Sequence, residues 1–587
     1  MKWSELTSVF ARIEGTSLRN TKTEILAELL RRASYSEVDK LVYLALGELR
    51  PKYDKLEFNL AEKMILRAIA LAAGKTISEV SQEYKRIGDL GELAGMIGKR
   101  KEERGIREVY RELEKIAQES GKGSQERKIA GLAKLIKEVG GEGAKYVVRI
   151  VAGKLRLGFS DKTVLDAISY LEAGSKEYSE ALDRVYQVRP DVGVLVKTVK
   201  EKGVKAAMGE TSVVVGTPIM PALAQRLKTA KEMIEKMGRV MVEKKFDGTR
   251  VQIHFSRSEN KGIRKQELGI SQNRMFEEEK PKFWVRSFTR NLDESSAMFP
   301  ELQQIGEQIA ADEVILDSEA VGYEPATGKL VPFQLTITRK RKHGVGEAQN
   351  AVPLRFFVFD IMYLNGKSLI QLPLSERRKI LARVIKRGQV LEVDDYIETD
   401  DPNQLREFHK QQLSLGLEGV LVKQIDGEYM PGRTGFNWVK FKEAEDSRAK
   451  LADTLDLVVM GYYLGKGKRR GFGLGAFLVG VREGEEIVTI AKVGTGISDK
   501  QFGELYERLK KIEVKRAIPE YKVAKNLIPD VWVEPEIVVE VAADEITKSP
   551  AHSAGYALRF PRLVRFREDK SVKEITTLDE VTAMIGI

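Results

Sequence analysis

The hydrophobic period of this sequence changes twice along the chain, and each change marks a different kind of fold. From residue 1 to about 210, apolar residues recur at helical spacing, as in Ile25, Leu26, Leu29 and Leu30. Ser36 with Asp39 reads as a capping box ahead of Leu41, Leu44 and Ala45, and Asp161 as a cap for the helix after it. From about 213, strands alternate with helices, and Gly216-Thr217-Pro218 and Pro221 mark the start. From about 450, short strands take over: Leu455 to Tyr463, Gly475 to Val481, Ile487 to Val493 and Ile537 to Val541. A basic, glycine-rich loop, Gly465 to Gly471, lies between the first two. Short strands with glycine turns suggest a small barrel. At 587 residues the chain is too long for one core, so the expected division is 1–212, 213–449 and 450–587.

Composition excludes several chemistries. Hydrophobic residues at 42% and charged residues at 32% describe a globular protein, and no apolar run approaches the ~20 residues of a membrane span. Met1 to Glu5 lacks the apolar core of a signal peptide, so a cytoplasmic, chromosome-associated location is expected. There is no cysteine, which rules out disulfides and thiolate metal sites. Four scattered histidines give a Ser-His triad or a histidine zinc site little support. Catalysis must lean on Lys, Arg, Asp and Glu. Lys plus Arg outnumber Asp plus Glu by 98 to 87, a net +11 that favours a polyanionic partner. The lack of Cys and the wealth of Lys, Arg and Glu suit a thermophile.

The stretch Glu243-Lys244-Lys245-Phe246-Asp247-Gly248-Thr249-Arg250 lies between Val240, Val242 and Val251, Ile253, Phe255. Asp-Gly between alternating runs reads as a strand–turn–strand corner, which holds Lys245 on rigid backbone. Taken alone, such a pattern is more often a hairpin with a solvated lysine. Further along, Arg290 follows a strand ending Val285-Arg286-Ser287-Phe288-Thr289, and Glu319 lies within the apolar run Val314 to Val321. A carboxylate there needs a cation or a ligand hydroxyl. Phe359 lies in Phe356 to Ile361, either as an aromatic platform or as core. Glu418 opens Leu417 to Lys423, and Lys440 and Lys442 share one strand face. Two lysines and two acids round one pocket make a coherent phosphate-plus-Mg²⁺ site.

In this order the motifs resemble those of ATP-dependent DNA ligases of the archaeal and eukaryotic replicative type. K-x-D-G is Lys245 to Gly248, D-x-E is Asp317 to Glu319, F-D is Phe359-Asp360, E-G-V is Glu418 to Val420 and K-x-K is Lys440 to Lys442. A terminal basic motif runs from Arg559 through Arg562, Arg565 and Arg567 to Asp569 and Lys570. The resemblance covers nearly the whole chain. It implies a multidomain α+β protein: a helical DNA-binding domain, a mixed α/β nucleotidyltransferase (adenylation) domain and a C-terminal OB-fold β-barrel. It also implies Lys245 as the adenylated nucleophile and Glu243 as the reader of the adenine amino group. Arg250 and Arg290 would bind ribose and phosphate, Glu319 and Glu418 ribose and metal. Phe359 would stack on adenine, and Lys440 and Lys442 would hold the α-phosphate. Arg565, Asp569 and Lys570 would close over the triphosphate and orient pyrophosphate. There are two departures. Ser256 to Lys282 is a long, highly charged segment, expected to be an exposed insertion. Gly432-Arg433-Thr434-Gly435 has threonine where the family often has a second basic residue, so either Arg433 fills that nucleotide contact or the contact is absent.

The implied cofactors are ATP and Mg²⁺, with Mn²⁺ as the alternative metal. An ammonium is not nucleophilic, so Lys440, Lys442, Arg290 and the metal are expected to favour the neutral amine of Lys245. The expected partner is nicked duplex DNA, gripped without base readout by a monomer; a sliding clamp stays open as a second partner, although no convincing docking peptide is present. Lys154 and Arg156, alternating with Leu155 and Leu157 beside Gly153, are the candidate phosphate contacts. The cluster Lys99-Arg100-Lys101 with Arg104 reads as a solvated helix face. An NAD-dependent ligase would carry a four-cysteine zinc site, which this chain lacks. A capping guanylyltransferase or RNA ligase shares the nucleotide motifs, and a non-catalytic duplex-binding scaffold is the rival of another class.

Overall fold

The computed structural model describes the chain except residues 98–102, 211, 228, 258–282, 332–335, 337–351, 433–434, 442–453, 466–472, 495–498, 544 and 585–587. Two compact units emerge, Met1–Lys442 and Glu443–Ile587.

The first unit begins with helices from Trp3–Glu14 to Val192–Glu210 round one continuous core that runs from Trp3 to Ala207. Helix Ile106–Gln118 shows why they form: Ile106, Val109, Tyr110, Leu113, Ile116 and Ala117 are buried, one stripe at 3.6-residue spacing. The expected caps shift by a residue. Helix Val38–Leu46 is capped at Glu37, whose carboxylate accepts from the Ser34 amide (2.9 Å), and Asp161 is the first residue of its helix and binds Lys52 (2.6 Å).

Among the described residues eleven strands follow: β1 Gln225–Arg226, β2 Val240–Lys244, β3 Thr249–Ser256, β4 Trp284–Thr289, β5 Glu313–Gly322, β6 Leu354–Leu364, β7 Lys367–Ser368, β8 Leu391–Val393, β9 Tyr396–Thr399, β10 Val420–Gln424 and β11 Trp438–Phe441. They form two sheets. The first has the order β1-β11-β10-β2-β9; the second has β4-β3-β5-β6-β7, with β8 on β6. Alternation gives each sheet a buried back. Val240, Val242, Val422 and Val439 pack under helix Ala230–Met237 and Leu405. Val251, Ile253, Phe255 and Phe356 pack with Leu302, Leu381 and Val384. A third cluster, with Ile315 and Phe359 from the second sheet and Trp438 from the first, joins the two inner faces.

The second unit is β-rich. Leu455–Leu464, Leu474–Glu483 and Glu486–Val493 form an antiparallel meander, close to the expected strands. Val538–Ala542 pairs with the first of these and Arg562–Phe566 pairs with Val538–Ala542. Helix Asp499–Leu509 adds Phe502, Leu505 and Leu509 to the core. The ladder among the described residues does not close into a ring, so the described strands give a β-rich domain rather than a closed barrel. The basic loop at 466–472, and Lys99, Arg100 and Lys101, lie outside the described residues.

Candidate active site

Lys245 sits where the chain leaves one sheet for the other. Its amide donates to the Gly419 carbonyl (3.0 Å) and its carbonyl accepts the Glu418 amide (3.2 Å), which extends the β2–β10 ladder by one step. The chain then crosses to β3, whose partners are β4 and β5. The Asp-Gly pair is therefore a crossing between sheets and not a hairpin turn. Gly248 is required for a tertiary reason: a Cβ there would lie 2.5 Å from the Ala320 carbonyl oxygen and 2.9 Å from Cγ of Glu319. Phe246 anchors the crossing from the other side, its ring stacked on Phe357 at 4.1 Å and 16°.

Two acids face the lysine. Nζ of Lys245 contacts the Glu418 carboxylate, both side chains being about one-fifth exposed. The carboxylate of Glu319, opposite Arg250 across the β3–β5 ladder, accepts no hydrogen bond from a described residue. Burial pushes its carboxyl up to about 8, against the pull of Arg250 and Lys245 and with the push of Asp317 and Glu418. Among the described residues no group of three or more metal-ligating side chains occurs.

Register places Glu243, Leu421 and Lys440 in one row on the inner face of the first sheet. Glu243 is fully buried, paired with Lys423 and 3.8 Å from Arg378. Lys423 is also fully buried, with Nζ 4.2 Å from the Trp438 ring centre and 4.6 Å from that of Phe359. The sequence reading gave Lys423 no role, although a lysine at an inward position of the run Val420-Leu421-Val422 is itself a signal. Phe359 is 6% exposed and packs edge-on against Trp438, so in this structure its ring is core. Asp360 forms a fully buried two-pronged pair with Arg377 (2.8 and 3.0 Å).

Arg250 grips Asp317 through two bonds, 3.0 and 2.6 Å. Both line a small pocket together with Arg290, which is exposed at the end of β4. The structure thus brings together Lys245, Glu418, Glu319, Arg250 and Asp317, with Glu243, Lys440 and Phe359 on the inner faces beside them. Arg433, Thr434 and Lys442, and the charged segment 258–282, lie outside the described residues.

Lys154 and Arg156 are exposed on the connection between helices Gly141–Val151 and Asp161–Ala173, pinned by buried Leu155 and Leu157. Arg156 is committed to Asp89 (2.7 Å). In the second unit the terminal basic residues are also paired. Arg565 binds Glu540 (2.5 Å), Lys570 binds Asp456 (2.6 Å), and Arg567 bridges Asp456 and Asp569 (each 2.8 Å).

Three family descriptions match the chain: "DNA ligase N terminus" at residues 2–169, "ATP dependent DNA ligase domain" at 273–442 and "ATP dependent DNA ligase C terminal region" at 470–570. The middle match starts beyond Lys245. Full-length relatives do span it. A "Probable DNA ligase" of Dictyoglomus thermophilum is 40% identical over 100% of this chain and 97% of its own, and a "DNA ligase" of Pyrobaculum neutrophilum is 37% identical over 100% and 98%. The solved structure called "Pmar-Lig_Pre." shares the fold at TM-score 0.54 and 17% identity, over 96% of this chain and 99% of that one. This chain belongs to the ATP-dependent DNA ligases, within the covalent nucleotidyltransferase superfamily.

Proposed function

We propose that this chain seals nicks in duplex DNA through a lysyl-adenylate on Lys245 and then a DNA-adenylate, in replication, repair and recombination. The observation that carries the reading is Lys245 at the sheet crossing, against Glu418 and beside Glu319, in a chain of this family. In the first step neutral Nζ attacks the α-phosphorus of ATP. A P–N bond forms, the P–O bond to the β-phosphate breaks, and pyrophosphate leaves with that electron pair. The proton that the ammonium must lose has the Glu418 carboxylate as its nearest acceptor. Next, an oxygen of the nick's 5′-phosphate attacks the adenylate phosphorus, and Lys245 regains its amine. Finally the 3′-hydroxyl oxygen attacks the activated 5′-phosphorus, the phosphodiester forms and AMP departs.

Glu319 and Glu418 are hard oxygen donors, and Glu319 is otherwise without a hydrogen-bond partner among the described residues, so the pair fits Mg²⁺ or Mn²⁺. The bound ion would offset charge on the phosphates. Lys440 is assigned to the α-phosphate from its place in the Glu243 row; Lys442 and Arg433 keep the roles that the family pattern gives them. Arg250 and Arg290 are assigned to ribose and phosphate, and Glu243 with Phe359 to adenine. On this reading residues 1–212 bind DNA, with Lys154 on the phosphates and Arg156 joining once it leaves Asp89. Residues 213–449 adenylate. Residues 450–587 form an OB-fold whose Arg565, Asp569 and Lys570 close over the triphosphate. The enzyme works as a monomer on nicked duplex. The test is incubation with α-labelled ATP and Mg²⁺: the native protein should take up covalent AMP, and Lys245→Ala should not. Lys245→Ala should still seal a nick that is already adenylated. Covalent AMP on Lys245→Ala would overturn the assignment.

A further inference from the structure

Arg250 has five N–H bonds, and three of them point at protein acceptors among the described residues. Nε and one Nη2 hydrogen go to Asp317 (3.0 and 2.6 Å), one Nη1 hydrogen goes to the Ala222 carbonyl (2.5 Å), and Nη2 also lies 3.4 Å from the Tyr429 hydroxyl, on the side that faces Asp317. Among the described residues, one Nη1 hydrogen and the second Nη2 hydrogen have no acceptor of their own. The Tyr429 hydroxyl is the joint of this network. It donates to Oδ2 of Asp317 (2.8 Å) and accepts from the Ala222 amide (3.1 Å). Tyr429 belongs to the connection between β10 and β11 of the first sheet, while Arg250 and Asp317 stand on β3 and β5 of the second. A single buried hydroxyl therefore ties both sheets, and the segment that leads into them, round one guanidinium. The ring is held without the hydroxyl: the Tyr429 amide donates to the Ile370 carbonyl (2.8 Å), and the ring meets Trp438 edge-on at 5.6 Å. Burial, with Asp317 beside it, pushes the hydroxyl well above its ordinary pKa, so it stays a donor.

We propose that Tyr429 is a positioning residue for nucleotide binding: through Asp317 it fixes the fork of Arg250 so that a remaining N–H meets an oxygen of the nucleotide. This rests on the reading of Arg250 as a nucleotide contact. The two-bond fork orients Arg250 only as firmly as the Asp317 carboxylate is itself held; the Tyr429 hydroxyl, bound to Oδ2 from the other sheet, stops that carboxylate turning, and less order has to be imposed when the ligand arrives.

The test is the full-length Tyr429→Phe variant, which deletes the hydroxyl and keeps the ring. In self-adenylation the apparent KM for ATP should rise about tenfold, which corresponds to ~1.4 kcal/mol, with kcat little changed. Arg250→Lys keeps a charge for Asp317 and loses the fork, so it is the folded comparator. It should raise KM at least as much, and adding Tyr429→Phe to it should raise KM no further, because the hydroxyl acts through the arginine. If Arg250→Lys raises KM and Tyr429→Phe does not, the inference on Tyr429 is wrong and the nucleotide role of Arg250 stands. Additive effects would show that Tyr429 acts independently of the arginine, and would also overturn it. If Arg250→Lys leaves KM at the native value, the underlying reading of Arg250 fails.

Discussion

Gly248→Ala isolates what the sheet crossing contributes. The added methyl would sit 2.5 Å from the Ala320 carbonyl oxygen, 2.9 Å from Cγ of Glu319 and 2.9 Å from Cγ2 of Val321, where ordinary contacts begin near 3.4 Å. Ala320 cannot retreat, because it is paired with Thr249 on one side and Phe356 on the other. The crossing must therefore move outward by about 1 Å, at a cost of ~1–3 kcal/mol typical of overpacking. That is survivable for a domain of this size, so the variant should fold. The chemistry should suffer far more. Lys245 lies on the displaced segment and Glu319 is one of the residues struck, and a misplacement of about 1 Å costs on the order of 100-fold in rate. Self-adenylation measured by labelled AMP should thus fall on the order of 100-fold, with only a small drop in thermal midpoint. Gly209→Ala is the control: nothing lies within 4 Å of its Cβ on helix Val192–Glu210, and it should gain roughly 0.5–1 kcal/mol with normal adenylation. Native-rate adenylation by Gly248→Ala would refute the link between close packing at Gly248 and the placing of Lys245.

Three further outcomes are expected. Arg377→Met should destabilise the first unit by about 3–5 kcal/mol in denaturant melts, because it strands the fully buried Asp360, and Asp360→Asn on top of it should restore part of that; additive losses would contradict the pairing. His254 is held down to about 3 by burial first and then by Arg286, and its Nδ1 accepts the Gly216 amide (2.9 Å). Below about 6.5 the unfolded chain binds a proton there and the folded chain does not, so stability should fall by ~1.4 kcal/mol per pH unit from 6.5 toward 4.5. His254→Asn, which keeps an acceptor for Gly216, should flatten that slope, and an unchanged slope would count against the assignment. Lys570→Ala should slow self-adenylation and spare the sealing of a pre-adenylated nick; normal adenylation with defective sealing would instead make the terminal motif a DNA-contacting face.

Alternation alone was enough to put Met241, Glu243 and Lys245 on one side of a strand, and Val251, Ile253 and Phe255 on the buried side of the next. What it did not carry is which strands become neighbours. The order β1-β11-β10-β2-β9 is not sequential, so nothing local to Glu243 announces Lys423 or Arg378, and nothing near Asp317 announces Tyr429. Asp247-Gly248 is the corner that the sequence suggests, with a strand on either side, but the hairpin alternative fails for a related reason. Local turn chemistry reads glycine as a conformational need, whereas here glycine answers the closeness of β5, which is a property of the packed sheets. Phe359 shows the same limit, since a phenylalanine in an apolar strand reads alike as platform or as core.

The terminal basic motif shows how charge read along a chain differs from charge in the fold. Arg565, Arg567 and Lys570 look like a bare cationic tip in sequence, yet Asp456, Glu540 and Asp569 neutralise them within the second unit. Asp456 precedes them by a whole domain's length of chain and is joined to them only because Val538–Ala542 pairs with both Leu455–Leu464 and Arg562–Phe566. A cation that leaves its carboxylate for a phosphate oxygen strands that carboxylate, and Asp456 and Glu540 are both buried, so the exchange is made only for an anion that binds strongly. An unpaired tip would attract any polyanion, DNA included, at long range and with strong salt dependence. A paired tip favours the anion that offers several oxygens at once in fixed geometry, as a triphosphate does. The pairing is thus the structural reason to expect Lys570 to act on adenylation before DNA binding.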